Sequence, residues 1–101
     1  MRAVSDEDQI AKANEDINRA ALARSVLDNP LVKEYFISAK GALFERLSKS
    51  KLKDVQDREQ IYLELQQLQR FESNFEKAIA NGKLAESWLE KLKRKVRING
   101  N

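Results

Sequence analysis

Apolar residues recur along this chain at alternating spacings of three and four, the period of an α-helix and not of a strand. Ile10, Ala13, Ile17, Ala20, Arg24 and Leu27 trace a first stripe, which predicts a helix from about Asp6 to Leu27. Ser5 is placed to cap its start, with Asp8 three residues on and acids through the first turn. The stripe is weak. Small Ala and a charged Arg stand where a strong seam carries Leu, so residues 1–15 are expected to be mobile, or ordered only against a partner. Asp28-Asn29-Pro30 ends this helix and starts the next, with Asn29 as N-cap and Pro30 at the first helical position.

A second helix, about 30–47, is read from Val32, Phe36, Ala39, Leu43 and Leu47, widened by Leu31, Tyr35, Ala42 and Phe44. So broad an apolar face calls for more than one neighbour. Gly41 lies inside it, either tolerated or marking a close helix crossing. Ser48 to Lys53 form a polar, basic connection of ordinary length. A third helix, about 55–80, has Asp54 as its cap and a stripe of Arg58, Ile61, Leu65, Leu68, Phe75 and Ile79, joined by Phe71 and Ala78 and interrupted by Glu72. Asn81-Gly82 is read as its end, with Gly82 in the left-handed position that closes many helices. A fourth helix, about 83–98, carries Ala85, Trp88, Leu89, Leu92 and Val96. The expected fold is therefore all-α: a single helical domain over 1–101, an elongated hairpin of the 30–47 and 55–80 helices flanked by an Ala-rich helix and a basic one, with coiled-coil-like seams.

Composition agrees with this pattern and limits the core. Three Gly and one Pro among 101 residues leave too few turn signals for a sandwich or barrel. Of the apolar residues eleven are Ala, which favour helix but bury little surface. A chain of this size hides only about 60–65% of its unfolded surface. Long helices with a small core call for a second copy, most simply in a dimer.

The net charge of +3 is unevenly spread. Residues 1–29 carry four basic and six acidic groups, 30–53 six and two, 54–82 three and six, and 83–101 six and two. Neighbouring segments thus alternate in sign and attract when antiparallel. Two basic clusters stand out: Lys49, Lys51 and Lys53 in the connection, and Lys91, Lys93, Arg94, Lys95 and Arg97 beside Trp88 near the C-terminus. The plain reading of the second is a helix end matched to its dipole, with Trp88 in the core. The functional reading is contact with nucleic acid or with an acidic protein surface, a patch to which Lys49, Lys51 and Lys53 add if the fold brings them near. A helix-turn-helix is disfavoured, since the connection is long and the 55–80 helix is acidic.

Chemistry is mostly excluded. Without Cys or His there is no thiolate, no ordinary catalytic triad and no common zinc site. Glu72 and Glu76 share a helix face, but a carboxylate pair on a charged helix is normally solvated and supplies too few ligands for a hard metal. No phosphate-binding glycine loop and no EF-hand loop is present. The expectation is a protein that is not an enzyme and needs no cofactor or metal. No apolar run approaches a membrane span, and the first residues lack the apolar core of a signal peptide.

Three segments, Asn29-Pro30-Leu31-Val32, Asp57-Arg58-Glu59-Gln60-Ile61-Tyr62 and Asn81-Gly82-Lys83-Leu84-Ala85, resemble small α-helical proteins encoded in the structural and DNA-packaging modules of tailed bacteriophages. The resemblance covers roughly residues 18–92. It implies a role in virion assembly or packaging, in the host cytoplasm or the virion, with capsid, portal or packaging proteins as partners and nucleic acid as the alternative. Outside a phage setting the expected location is cytoplasmic. It carries over no catalytic or binding residue.

Overall fold

The computed structural model describes residues 6–99, with side chains through residue 96. Ser5, the expected cap of the first helix, lies outside the described residues, as do residues 1–4 and 100–101 of the segments discussed above. Three helices account for the described fold, α1 (Asp6–Leu27), α2 (Pro30–Lys49) and α3 (Val55–Asn99), and no strand occurs among the described residues.

The α1–α2 boundary forms as the sequence requires. Asn29 leaves the helical region at φ −64° and ψ 125°, and its Oδ1 accepts from Leu31 N at 2.8 Å and Val32 N at 3.4 Å. Two donors that a helix start leaves orphaned are thereby satisfied. Pro30 supplies the next position without needing to donate. At the other end of α2, Ser50 N and Ser50 Oγ both donate to Leu47 O, at 3.2 and 2.7 Å. A short turn follows, closed by Asp54 N on Lys51 O at 2.9 Å. Asp54 stands at the cap position of α3, its carbonyl accepting from Arg58 N at 3.1 Å. Its carboxylate, expected to cap α3, turns back to accept from Lys51 N at 3.1 Å. It closes the turn.

The expected break at Asn81-Gly82 is absent. α3 continues without interruption, Gly82 does not adopt positive φ, and the separate 83–98 helix is its C-terminal part. The reason lies in the spacing of covered positions. Ile61, Leu65, Leu68, Glu72, Phe75 and Ile79 follow the alternation of four and three, and Gly82, Ala85, Leu89 and Leu92 carry it on, with two successive threes where 79, 82 and 85 meet. A seam that crosses a glycine in helical phase gives that glycine tertiary contacts, and those outweigh the roughly 1 kcal/mol that Gly costs inside a helix.

The contacts divide the chain into two compact units, one of Met1–Ser25 with Phe75–Asn101 and the other of Val26–Asn74. They are called here the α1 unit and the α2 unit. Each pairs one of the shorter helices with part of α3.

In the α2 unit, Phe36, Leu43 and Ile61 are buried, Ile61 to 1% exposure. The Phe36 and Phe71 rings lie 5.7 Å apart at 42°, and Tyr35 meets Phe36 edge-on at 5.8 Å. Such pairs add to simple area burial. Lys40 pairs with Glu72, and Arg46 reaches Glu64 at 2.9 Å and Asp57 at 3.3 Å. Partners fall in sequence order against one another, so α2 and this part of α3 form the antiparallel hairpin that the alternating charges call for.

Among the described residues of the α1 unit, those buried are Ala13, Ala20, Ala23, Gly82 and Ala85. Gly82 faces α1 so closely that a methyl on it would overlap Ala20 Cβ and stand 3.2 Å from Asp16 O. The close crossing considered for Gly41 occurs here instead. Nothing lies within 4 Å of the position where a Gly41 methyl would sit, so that glycine is simply tolerated. The residues that make α1 look weak in sequence are the ones that admit α3.

Candidate interaction surfaces

Many apolar side chains are left uncovered by these two packings. Among the described residues, Leu31, Tyr35, Ile37, Phe44, Leu52, Val55, Tyr62, Leu63 and Phe71 are exposed in the α2 unit, and Leu22, Leu84, Trp88 and Val96 in the α1 unit. Helical spacing gathers them into faces. Leu52, Val55 and Tyr62 line one hollow with Arg58 and Glu59. Ile37 and Phe44, seven apart, flank the open side of Gly41 on α2. Tyr35, Ala39, Ala42 and Arg46 form one wall of a groove whose other wall is Glu64, Gln67 and Phe71, with Phe36, Leu43 and Leu68 at its floor.

The charges bordering that groove are paired within the hairpin. Arg46 is held by Glu64 and Asp57. The hydrogen bond to Asp57 above all, helped by Glu64, raises the Arg46 guanidinium above its ordinary value, against a lesser opposing effect of desolvation.

The α1 unit presents a second groove, lined by Asp8, Gln9, Lys12, Asp16, Leu84 and Trp88 among others. Trp88, in the core on the plain reading and a contact residue on the functional one, stands 36% exposed on its wall. Its placement follows from the small residues beside it: an Ala–Gly crossing leaves no room between the helices for an indole, which therefore packs at the edge.

The proposed contact residues fall in both units. Lys49, Lys51 and Lys53 are exposed around the α2–α3 turn, with Lys49 paired to Glu45. Trp88, Lys91, Lys93, Arg94 and Lys95 are exposed along the last turns of α3 in the α1 unit, and the Arg97 side chain lies outside the described ones. Asp8 and Trp88 share one groove, so the acidic first turn of α1, Asp6 to Asp8, lies at the level of this basic end. Opposite charges there offset each other in part. Sequence reading missed the Tyr35–Phe71 groove. Its signal was the width of the α2 stripe, which shows that a second neighbour is wanted but not on which side.

Glu72 pairs with Lys40, and Glu76 is exposed. Among the described residues no cluster of acidic side chains suited to a metal ion occurs, and no helix is long and apolar enough to cross a membrane. No protein-family model, curated protein or solved structure matches the chain.

Proposed function

We propose that this chain is a non-enzymatic assembly adaptor of the bacteriophage structural or packaging kind, acting through helical protein–protein contacts. The observation that carries this reading is the imbalance between covered and uncovered apolar residues. Among the described residues seven apolar side chains are buried, four of them Ala, whereas thirteen large ones are exposed. Scattered exposed apolar residues are ordinary, but faces of several at helical spacing are the mark of surfaces that meet other proteins. The resemblance of residues 29–32, 57–62 and 81–85 to phage helical proteins supplies the setting, and capsid, portal or packaging proteins are the partners it favours. Purification of the chain from its native source, followed by cross-linking, is expected to show a stoichiometric protein partner joined near Ile37, Phe44, Tyr62 or Trp88. A chain recovered without any protein joined at these faces would defeat the reading.

A nucleic-acid-binding packaging factor is the second reading, favoured by the exposed Lys91, Lys93, Arg94 and Lys95 on successive turns of α3. It requires retention of duplex DNA at about 50 mM salt, with a salt slope that falls when Lys93, Arg94 and Lys95 become Ala. The adaptor reading expects no such retention, because the first turn of α1 answers part of this charge.

A further inference from the structure

The groove between α2 and the first half of α3 supports a more specific statement, which rests on the protein-contact reading above and names one partner. We infer that this groove is the seat of a second copy of the chain, two α2–α3 hairpins closing face to face into a four-helix bundle. Three observations point to self-association rather than to another occupant.

The first is the chemistry of the face. Its centre is Tyr35, Ala39, Ala42, Gln67 and Phe71, and the two charged residues that line it, Arg46 and Glu64, are already paired with each other in cis, Arg46 reaching Asp57 as well. A strongly charged ligand, nucleic acid included, gains little from charges that are already neutralised. An uncharged apolar centre with a satisfied rim is what a protein–protein core needs.

The second is sign. α2 carries four basic and two acidic groups, and residues 55–74 of α3 carry two and four. When a two-fold axis runs along the bundle, each basic α2 lies between two acidic stretches of α3, its own and the partner's, with every neighbouring pair antiparallel. No two helices of like sign then lie side by side, so the arrangement brings no like-charge repulsion between the copies.

The third is area. Tyr35 and Phe71 are 63% and 50% exposed, and Leu31 and Leu63, one turn before Tyr35 and Gln67, are 74% and 52% exposed. Side chains of this size leave on the order of 400 Å² of surface per copy. With the intervening Ala, Gln and Arg stems, the face approaches the roughly 800 Å² per partner of a standard stable interface.

The test measures the mass of the intact chain by sedimentation between about 1 and 200 µM, beside the Ala42→Glu and Phe44→Ser variants. Ala42 is exposed at the centre of the groove, whereas Phe44 lies on the other flank of α2. The wild-type chain is expected to be a dimer. Ala42→Glu is expected to weaken that dimer at least about 100-fold, by forcing a charged carboxylate into its apolar centre, with far-UV helicity retained at high concentration. Phe44→Ser is expected to leave the mass unchanged. If Ala42→Glu also loses helicity, Ala42→Gln replaces it and is expected to weaken the dimer about tenfold. A wild-type monomer at 200 µM overturns the inference and leaves the adaptor reading intact. An oligomer broken by Phe44→Ser and indifferent to Ala42→Glu places the interface on another face and overturns it equally. A dimer that binds no other protein in the native source upholds this inference and defeats the adaptor reading.

Discussion

The two units solve one problem, fastening a shorter helix to α3, by opposite means. The α1 unit uses small residues, Ala13, Ala20 and Ala23 against Gly82 and Ala85, so that backbones come close. The α2 unit uses large ones, Phe36, Leu43 and Ile61, with charged clasps from Lys40 and Arg46. Small residues give little transfer free energy each but permit dense contact along the crossing. Large ones contribute more apiece, about 1.5–3 kcal/mol when fully buried, but they prop the helices apart and leave a groove beside them. Residue volume at the seam therefore decides both how each pair is held and how much surface it leaves to others.

Substitutions can break this contrast. The largest effect is expected at Ile61, where truncation to Ala leaves a cavity in the α2 unit and costs about 2–5 kcal/mol in urea unfolding. A loss under 1 kcal/mol would show that large-residue packing is not what holds this unit. Next comes Gly82→Ala. Inside a helix Ala normally gains about 0.5–1 kcal/mol over Gly. Here the methyl meets Ala20 Cβ, and the overpacked crossing is expected to lose about 1–3 kcal/mol instead. A stabilised Gly82→Ala variant would dismiss the close crossing. Gly41→Ala, with open space around it, is expected to show the opposite sign, a gain of about 0.5–1 kcal/mol.

The smallest effect belongs to Arg46→Ala, whose exposed clasp on Asp57 and Glu64 is expected to shift urea unfolding least of the four, and less still at high salt. The folded-state pKa of Arg46 is raised, so its contribution is fully present below the unfolded value and fades only as pH climbs through the folded one. An alkaline titration through pH 9 should therefore leave the wild-type increment unchanged.

Much of the fold was legible in the pattern of residues. Asn29-Pro30 marked a helix boundary because both residues act locally, one through its side-chain acceptor and the other through its ring. The hairpin of α2 on α3 followed from matched stripes of opposite charge. Gly82 was misread because Asn-Gly after a helical stripe has the same local chemistry whether it ends a helix or lies under a neighbour. Only the residues of α1, some sixty positions away, decide between the two. The stripe through Ile79, Gly82 and Ala85 held the clue, but a glycine is invisible to a search for apolar positions. Asp54 shows the same limit on a smaller scale, for its carboxylate had two backbone donors within reach and satisfied the turn. Of the candidate surfaces, the exposed basic residues were visible in sequence because charge needs no context. The Tyr35–Phe71 groove was not, since it depends on which flank of each helix the hairpin buries.

The pairing of Ala20 with Gly82 also sets an order in time. The α2 hairpin closes over the short turn between Ser50 and Asp54, so its search is local and fast. α1 has to wait. During synthesis it leaves the ribosome well ahead of the stretch of α3 that will cover it, and through that interval its stripe faces water. A stripe of Ala is a mild thing to expose, with little to recruit wrong neighbours. The sparing use of large apolar residues in α1 thus suits a segment that spends its first moments without its partner.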